Sequence, residues 1–120
     1  IVVQDKDLKY LVDLRKRLDS IPGVETTKSD IDNIEICAET SNKGNGLKIL
    51  ATHYGISLEE CIAIGNDEND ISMIKCAGLG VAVRNARDYI KECANYVTER
   101  DNNNGAIGEV IERFILNGED

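Results

Sequence analysis

Residues 65 to 70 read Gly-Asn-Asp-Glu-Asn-Asp. Asp67, Glu68 and Asp70 crowd like charges more densely than a helix cap requires, and a divalent cation would relieve their repulsion. Oxygen donors of this kind suit Mg²⁺ or Ca²⁺, although the EF-hand pattern fails because its glycine and final glutamate are not in place. The plainer alternative is that Asn66 or Asp67 caps the following helix, with acidic residues facing the positive end of its dipole.

Lys43 raises a related question. A lysine at the start of a helix faces the unfavourable end of the dipole, so propensity does not place it there. The Lys43-Gly44 and Asn45-Gly46 pairs let backbone approach a ligand at a helix N-terminus, where anions bind readily. A cation and acidic metal ligands at neighbouring strand or loop ends of one sheet are what phosphoryl transfer requires. Asn85 follows a strand, and cap and direct site roles are both open for it. His53, late in a helix beside Tyr54, reads as structural or surface.

These residues need a frame. Hydrophobic periodicity predicts a strand over 1–3, a helix over 7–18 and strands over 24–27 and 34–37, the last alternating Ile34-Glu35-Ile36. On that helix Lys9, Arg15, Lys16 and Arg17 are mixed with acids and read as a solvated face. After the polar 39–42 linker, a helix over 43–54 is expected to bury Leu47, Leu50, Ala51 and Tyr54 and to end at Gly55. Ser57 to Glu60 has capping-box spacing.

Strands then follow over 61–64, 79–83 and 96–98, with helices over 69–76, 87–93 and 106–116. Short apolar strands alternating with helices mean an α/β fold, with a Rossmann-like parallel sheet covered by helices on both faces. Ligands of such folds bind beyond the carboxyl ends of the strands, where residues 65–70 lie.

Composition excludes several classes. The 120 residues carry a formal net charge of −8 with no basic tract, which repels a polyanion, and the aromatic residues (four Tyr, one Phe, no Trp) supply no stacking platform for nucleic acid. No apolar stretch approaches the ~20 residues of a membrane span. Cys37, Cys61, Cys76 and Cys93 are widely spaced and the chain has one His, so neither a zinc site nor a disulfide framework is expected. Buried reduced thiols and a cytoplasmic location are.

The stretches SNKGNGLKIL, IAIGNDENDISMIKCAGLGVAVRNA and YVTERDNNNGAIGEVIERFI, taken together, resemble the C-terminal half of the haloacid dehalogenase-like superfamily, in its Cof-type sugar-phosphatase branch. The resemblance implies that residues 41–120 are the C-terminal half of the core domain. Residues 1–40 would be the tail of an α/β cap and its linker. It implies that Lys43 neutralises a nucleophilic aspartate and the substrate phosphate, that Asn69 orients phosphate, and that Mg²⁺ is held by Asp70 with Asn66 or Asp67. Asn66 stands where the family has a metal-binding aspartate. An amide oxygen can still coordinate there, but without the charge.

The family's Asp-x-Asp-Gly-Thr motif, which carries nucleophile and general acid/base, does not occur. Asp30-Ile31-Asp32 and Asp5-Lys6-Asp7 have the Asp-x-Asp spacing, and no Gly-Thr follows either. The expectation is therefore a fragment of a phosphatase that hydrolyses small sugar phosphates or similar metabolites through an aspartyl-phosphate, inactive alone, with its nucleophile upstream of Ile1. The sheet edge left exposed should pair with the missing N-terminal half or with a second copy. The competing expectation is a non-catalytic α/β module that binds a phosphorylated ligand or a partner protein. A receiver-like domain needs an acidic pair after its first strand, and Ile1 to Asp5 offers a poor one.

Overall fold

The computed structural model describes residues 1–117. Its first unit comprises β1 (Val2–Gln4), α1 (Leu8–Asp19), β2 (Val24–Thr27) and β3 (Asn33–Ala38). The strands form an antiparallel sheet in the order β1-β3-β2. Asp7 starts α1 by accepting a hydrogen bond from the Tyr10 backbone N–H at 3.1 Å. Pairing of Thr26 with Ile36 and of Thr27 with Glu35 sorts the side chains onto two faces. Thr26, Ile34 and Ile36 share the face toward α1, where Ile34 and Leu11 are buried. Glu25, Thr27, Glu35 and Cys37 share the other.

The second unit begins with α2 (Lys43–Tyr54), whose bounds match the expected helix. Asn42 caps it, accepting from the Asn45 N–H at 2.8 Å, and Gly55 ends it in the left-handed region at φ 68°. A 3₁₀ turn (Leu58–Glu60) leads to β4 (Ile62–Gly65), and the Ser57 N–H donates to Glu60 Oε2 at 2.9 Å. A second 3₁₀ turn (Glu68–Asp70) runs into α3 (Ile71–Cys76) and β5 (Leu79–Ala82). Then come α4 (Asp88–Lys91), β6 (Tyr96–Val97) and α5 (Ala106–Val110), which continues as a π-helical turn over Ile111–Leu116.

Strands β4, β5 and β6 are parallel neighbours in that order, with Ile62 opposite Leu79 and Val81 opposite Tyr96. Consecutive β5 residues Gly80, Val81 and Ala82 are all buried, so both faces of the central strand are covered. The core gathers Ile74, Ala82, Val83, Ala86, Ile90 and Ala106. Each fully buried Ile or Val here stabilises the fold by about 1.5–3 kcal/mol.

Several expectations need correction. Of the four α2 residues expected to be buried, only Ala51 is, while Leu50 and Tyr54 are 52% and 69% exposed. Gly44 and Ala51 are the buried residues of the helix, which packs mainly against α3, while Leu47 is half-buried and Leu50 and Tyr54 lie outside that contact. The cysteine thiols are free but half-buried rather than buried. Cys76 and Cys93 lie close to backbone carbonyls of Gly44 and Tyr89, at 3.7 and 3.3 Å. The α4 helix is shorter than expected because its backbone turns at Glu92 to let the Asn95 N–H reach the Gly80 carbonyl at 2.7 Å. Among the described residues no helix is long and apolar enough to cross a membrane.

Candidate active site

The loop after β4 is organised by one buried side chain. Asp70 is 4% exposed, and its Oδ2 accepts hydrogen bonds from the backbone N–H groups of Asn66 (2.9 Å) and Asp67 (3.1 Å). Its Oδ1 meets Lys43 Nζ at 2.5 Å, which ties the start of α2 to the end of β4. Gly65 is glycine for a local reason: a Cβ there would collide with Asp70 Cβ and stand 2.8 Å from its Cγ. Asp67 is the cap, since its Oδ1 accepts from the Glu68 N–H at 2.8 Å. The cap and the acidic cluster are therefore one construction.

The role expected for Gly44 changes. A Cβ at Gly44 would sit 2.8 Å from the Ser72 carbonyl oxygen, and its N–H donates to Ser72 Oγ at 2.9 Å. Gly44 thus brings α2 against α3, not backbone against a ligand. Gly46 has open space around it and lines the cavity.

Crowding of carboxylates does not by itself demand a metal here. Asp70 is neutralised by Lys43, and Glu68 by Arg15, whose Nη1 and Nη2 reach Oε1 and Oε2 at 2.9 and 2.7 Å. No group of three or more His, Cys, Asp or Glu among the described residues is arranged to hold a metal ion. Asn66 is exposed and Asp67 has one oxygen engaged as a cap, so these two offer oxygen donors, while both Asp70 oxygens face protein partners. This donor set is incomplete for Mg²⁺, which keeps close to octahedral geometry.

A cavity of about 880 Å³ lies between the two units. Lys43, Asn69 and Ser72 line it from the second unit, and Glu25, Thr27 and Glu35 from the open face of the first sheet. This size holds a small organic ligand. Asn69 joins the walls, because its backbone N–H donates to the Lys28 carbonyl at 3.0 Å and its Nδ2 to Glu35 Oε2 at 3.4 Å.

Arg15, read from sequence as part of a solvated face, belongs to this junction. It donates through Nε to Thr26 Oγ1 at 3.1 Å while holding Glu68, and that hydrogen bond to Glu68 raises its pKa against the opposing effect of burial. Thr26 in turn donates to Asp19. Tyr89 also lines the cavity, and burial, reinforced by the Glu68 charge, raises its hydroxyl pKa above its ordinary value.

The remaining candidates lie elsewhere. Asn85 exchanges hydrogen bonds with Asn102, through Nδ2 to Oδ1 at 2.9 Å and from the Asn102 N–H to Asn85 Oδ1 at 3.2 Å. It clasps two loops beyond the carboxyl ends of β5 and β6, caps no helix and does not line the cavity. His53 packs edge-on against Tyr54 on exposed α2. The structure therefore brings together Lys43, Asn69 and Asp70, holds Asn66 and Asp67 beside them, and sets Asn85 apart.

A family model described as haloacid dehalogenase-like hydrolase matches residues 1–111. A phosphoglycolate phosphatase of Methanosarcina acetivorans is 43% identical over 101 residues, covering 79% of this chain and 44% of the relative. The 5-amino-6-(5-phospho-D-ribitylamino)uracil phosphatase YcsE of Bacillus subtilis is 37% identical over 116 residues, covering 95% of this chain and 45% of the relative. The solved structure of a haloacid dehalogenase-like hydrolase from B. subtilis superposes with a TM-score of 0.90 at 32% identity, over 95% of this chain and 40% of that one. The chain spans less than half the length of these relatives.

Proposed function

The chain belongs to the haloacid dehalogenase-like hydrolases, and from that membership we propose that it supplies part of the active site of a Mg²⁺-dependent phosphatase for small phosphate monoesters. The observation that carries this reading is the Lys43–Asp70 pair, 2.5 Å apart, with Lys43 lining the cavity between the units. In this reading residues 1–40 are the end of an α/β cap with its linker, and residues 41–120 are the C-terminal half of the core.

The chemistry proposed is transfer of the phosphoryl group to an aspartate that is not among the residues of this chain, with departure of the alcohol, followed by hydrolysis of the acyl phosphate by water. Lys43 binds the phosphoryl oxygens and stabilises the charge that grows on them. Asp70 holds Lys43 in place and keeps the loop's N–H groups ordered. Asn69, on the cavity wall with its Nδ2 donating to Glu35, orients the phosphate. Asn66 and Asp67 are the residues of this chain that would hold Mg²⁺, which would supply neutralisation of charge on the phosphoryl oxygens.

The partners in this reading are a small phosphorylated metabolite and, along the outer edge of β4, a complementary segment or a second copy. Nucleic acid and membrane have no part in it. The free thiols suit a reducing compartment such as the cytoplasm.

Phosphate release from a panel of phosphate monoesters by the intact protein, with Mg²⁺ or with EDTA, tests the proposal. Lys43→Ala should lower kcat/KM by about 10²-fold or more. The 120-residue chain alone should release none. Hydrolysis by the chain alone, or by Lys43→Ala at the full rate, would refute it. Asn66 and the incomplete donor set favour one second reading, a module that binds phosphorylated ligands without turning them over. Calorimetric binding of a phosphate monoester by an intact protein that releases no phosphate would establish it.

A further inference from the structure

The cavity has two chemically different walls. On one side lie Lys43 and Asn69, assigned above to the phosphate. On the other lies the open face of the β2–β3 ribbon, where Glu25 stands opposite Cys37 and Thr27 opposite Glu35. Each wall carboxylate is tethered to a residue adjoining one member of the Lys43–Asp70 pair. Asn42, just before Lys43, donates through Nδ2 to Glu25 Oε2 at 3.2 Å. Asn69, just before Asp70, donates through Nδ2 to Glu35 Oε2 at 3.4 Å. Both glutamates are therefore fixed in place on the opposite wall by the segments that carry Lys43 and Asp70.

The charges of the lining residues are already sorted. Its two cations, Arg15 and Lys43, are engaged with Glu68 and Asp70. Glu25 and Glu35 have carboxamides as their hydrogen-bond partners instead, and only Oε2 of each is engaged among the described residues. A ligand body lying along this wall meets acceptors, with Thr27 on the same face opposite Glu35, and no cation that could balance a second negative group.

We propose that Glu25 and Glu35 set the substrate class, favouring phosphate monoesters whose other end carries hydroxyl or amino donors and rejecting those with a second anionic group. This rests on the phosphatase reading above. Hydroxyl and ammonium groups donate to both carboxylates, whereas a substrate carboxylate is repelled by both.

The test compares kcat/KM of the intact protein for glucosamine 6-phosphate and for phosphoglycolate, which carries a carboxylate. A preference for the amino sugar of at least about tenfold, expressed mainly in KM, is expected. Replacing both glutamates (Glu25→Gln with Glu35→Gln) should cut that preference about tenfold, while Glu35→Asp, which keeps the charge, should retain it. A wild-type preference for phosphoglycolate, or a ratio unmoved by the double substitution, overturns the proposal. If the intact protein hydrolyses neither of these esters nor any other of the panel above, the phosphatase reading fails. Calorimetric affinities for the same two esters then decide the inference by the same ratio and the same variants, and absence of binding to both overturns it.

Discussion

Arg15 and Glu68, 53 residues apart in sequence, meet in a two-pronged ion pair with contacts of 2.9 and 2.7 Å. Their side chains are 29% and 18% exposed, so the pair is largely shielded from solvent and joins α1 to the loop that carries Asp70. Charge-assisted bonds of this geometry contribute about 1.5–3 kcal/mol, and partial exposure reduces that to about 1–2 kcal/mol. Arg15→Ala should lower unfolding stability by that amount in urea titrations, and Arg15→Lys should recover less than half. A double-mutant cycle with Glu68→Gln isolates the pair. A coupling energy near zero would show that packing, not the ion pair, joins the units there.

The Lys43–Asp70 contact is lopsided. Asp70 is buried and serves two backbone N–H groups besides the lysine, whereas the Lys43 side chain is half exposed. Removing the carboxylate strands three donors, so Asp70→Ala should cost about 3–5 kcal/mol, while Lys43→Met should cost only about 1 kcal/mol. Thermal unfolding of the two variants gives the comparison. Equal losses would mean that Asp70 does not organise the loop.

Three glycines make a graded set. A Cβ at Gly65 meets Asp70, one at Gly44 meets the Ser72 backbone, and one at Gly46 meets nothing within 4 Å. Gly65→Ala and Gly44→Ala should each destabilise by about 1–3 kcal/mol, through displacement of the loop and of the α2–α3 seam. Gly46→Ala should stabilise by about 0.5–1 kcal/mol, because it removes backbone entropy from a helix interior. If all three alanines had the same effect in denaturant titrations, the close approaches would not be the reason for glycine.

What the sequence made legible was local. Helix α2 could be bounded because Asn42 and Gly55 are its own neighbours, and the 65–70 loop could be placed because Gly65 and Asp70 touch within a few residues. What it hid was long-range. Arg15 carries no mark of Glu68, Gly44 carries none of Ser72, 28 positions away, and Glu25 and Glu35 read only as strand residues until the ribbon is folded over Lys43. The apolar side of α2 shows the same limit: Leu50 and Tyr54 were recognisable as a stripe, but periodicity does not say what covers one.

Glu109 gives a pH signature. On α5, its carboxylate accepts from the Glu99 N–H (2.9 Å to Oε2), the Arg100 N–H (2.9 Å to Oε1) and the Tyr96 hydroxyl (2.7 Å). Burial alone would raise its pKa, but these donors outweigh it and hold the carboxyl below its ordinary value of 4.5. A carboxyl whose folded pKa lies below its unfolded value adds stability above the unfolded pKa and loses it as pH falls through the folded one. The contribution is thus complete at neutral pH and fades below about 4.5. Glu109→Gln should lower Tm at pH 7, and the gap to wild type should close as the pH is taken below 4.5 in scanning calorimetry. A gap that stays constant to pH 3 would mean that the loss comes from altered hydrogen-bond geometry and not from the charge. In that case Tyr96→Phe, which removes one donor and leaves the carboxylate, should show a loss of similar size with no pH dependence of its own.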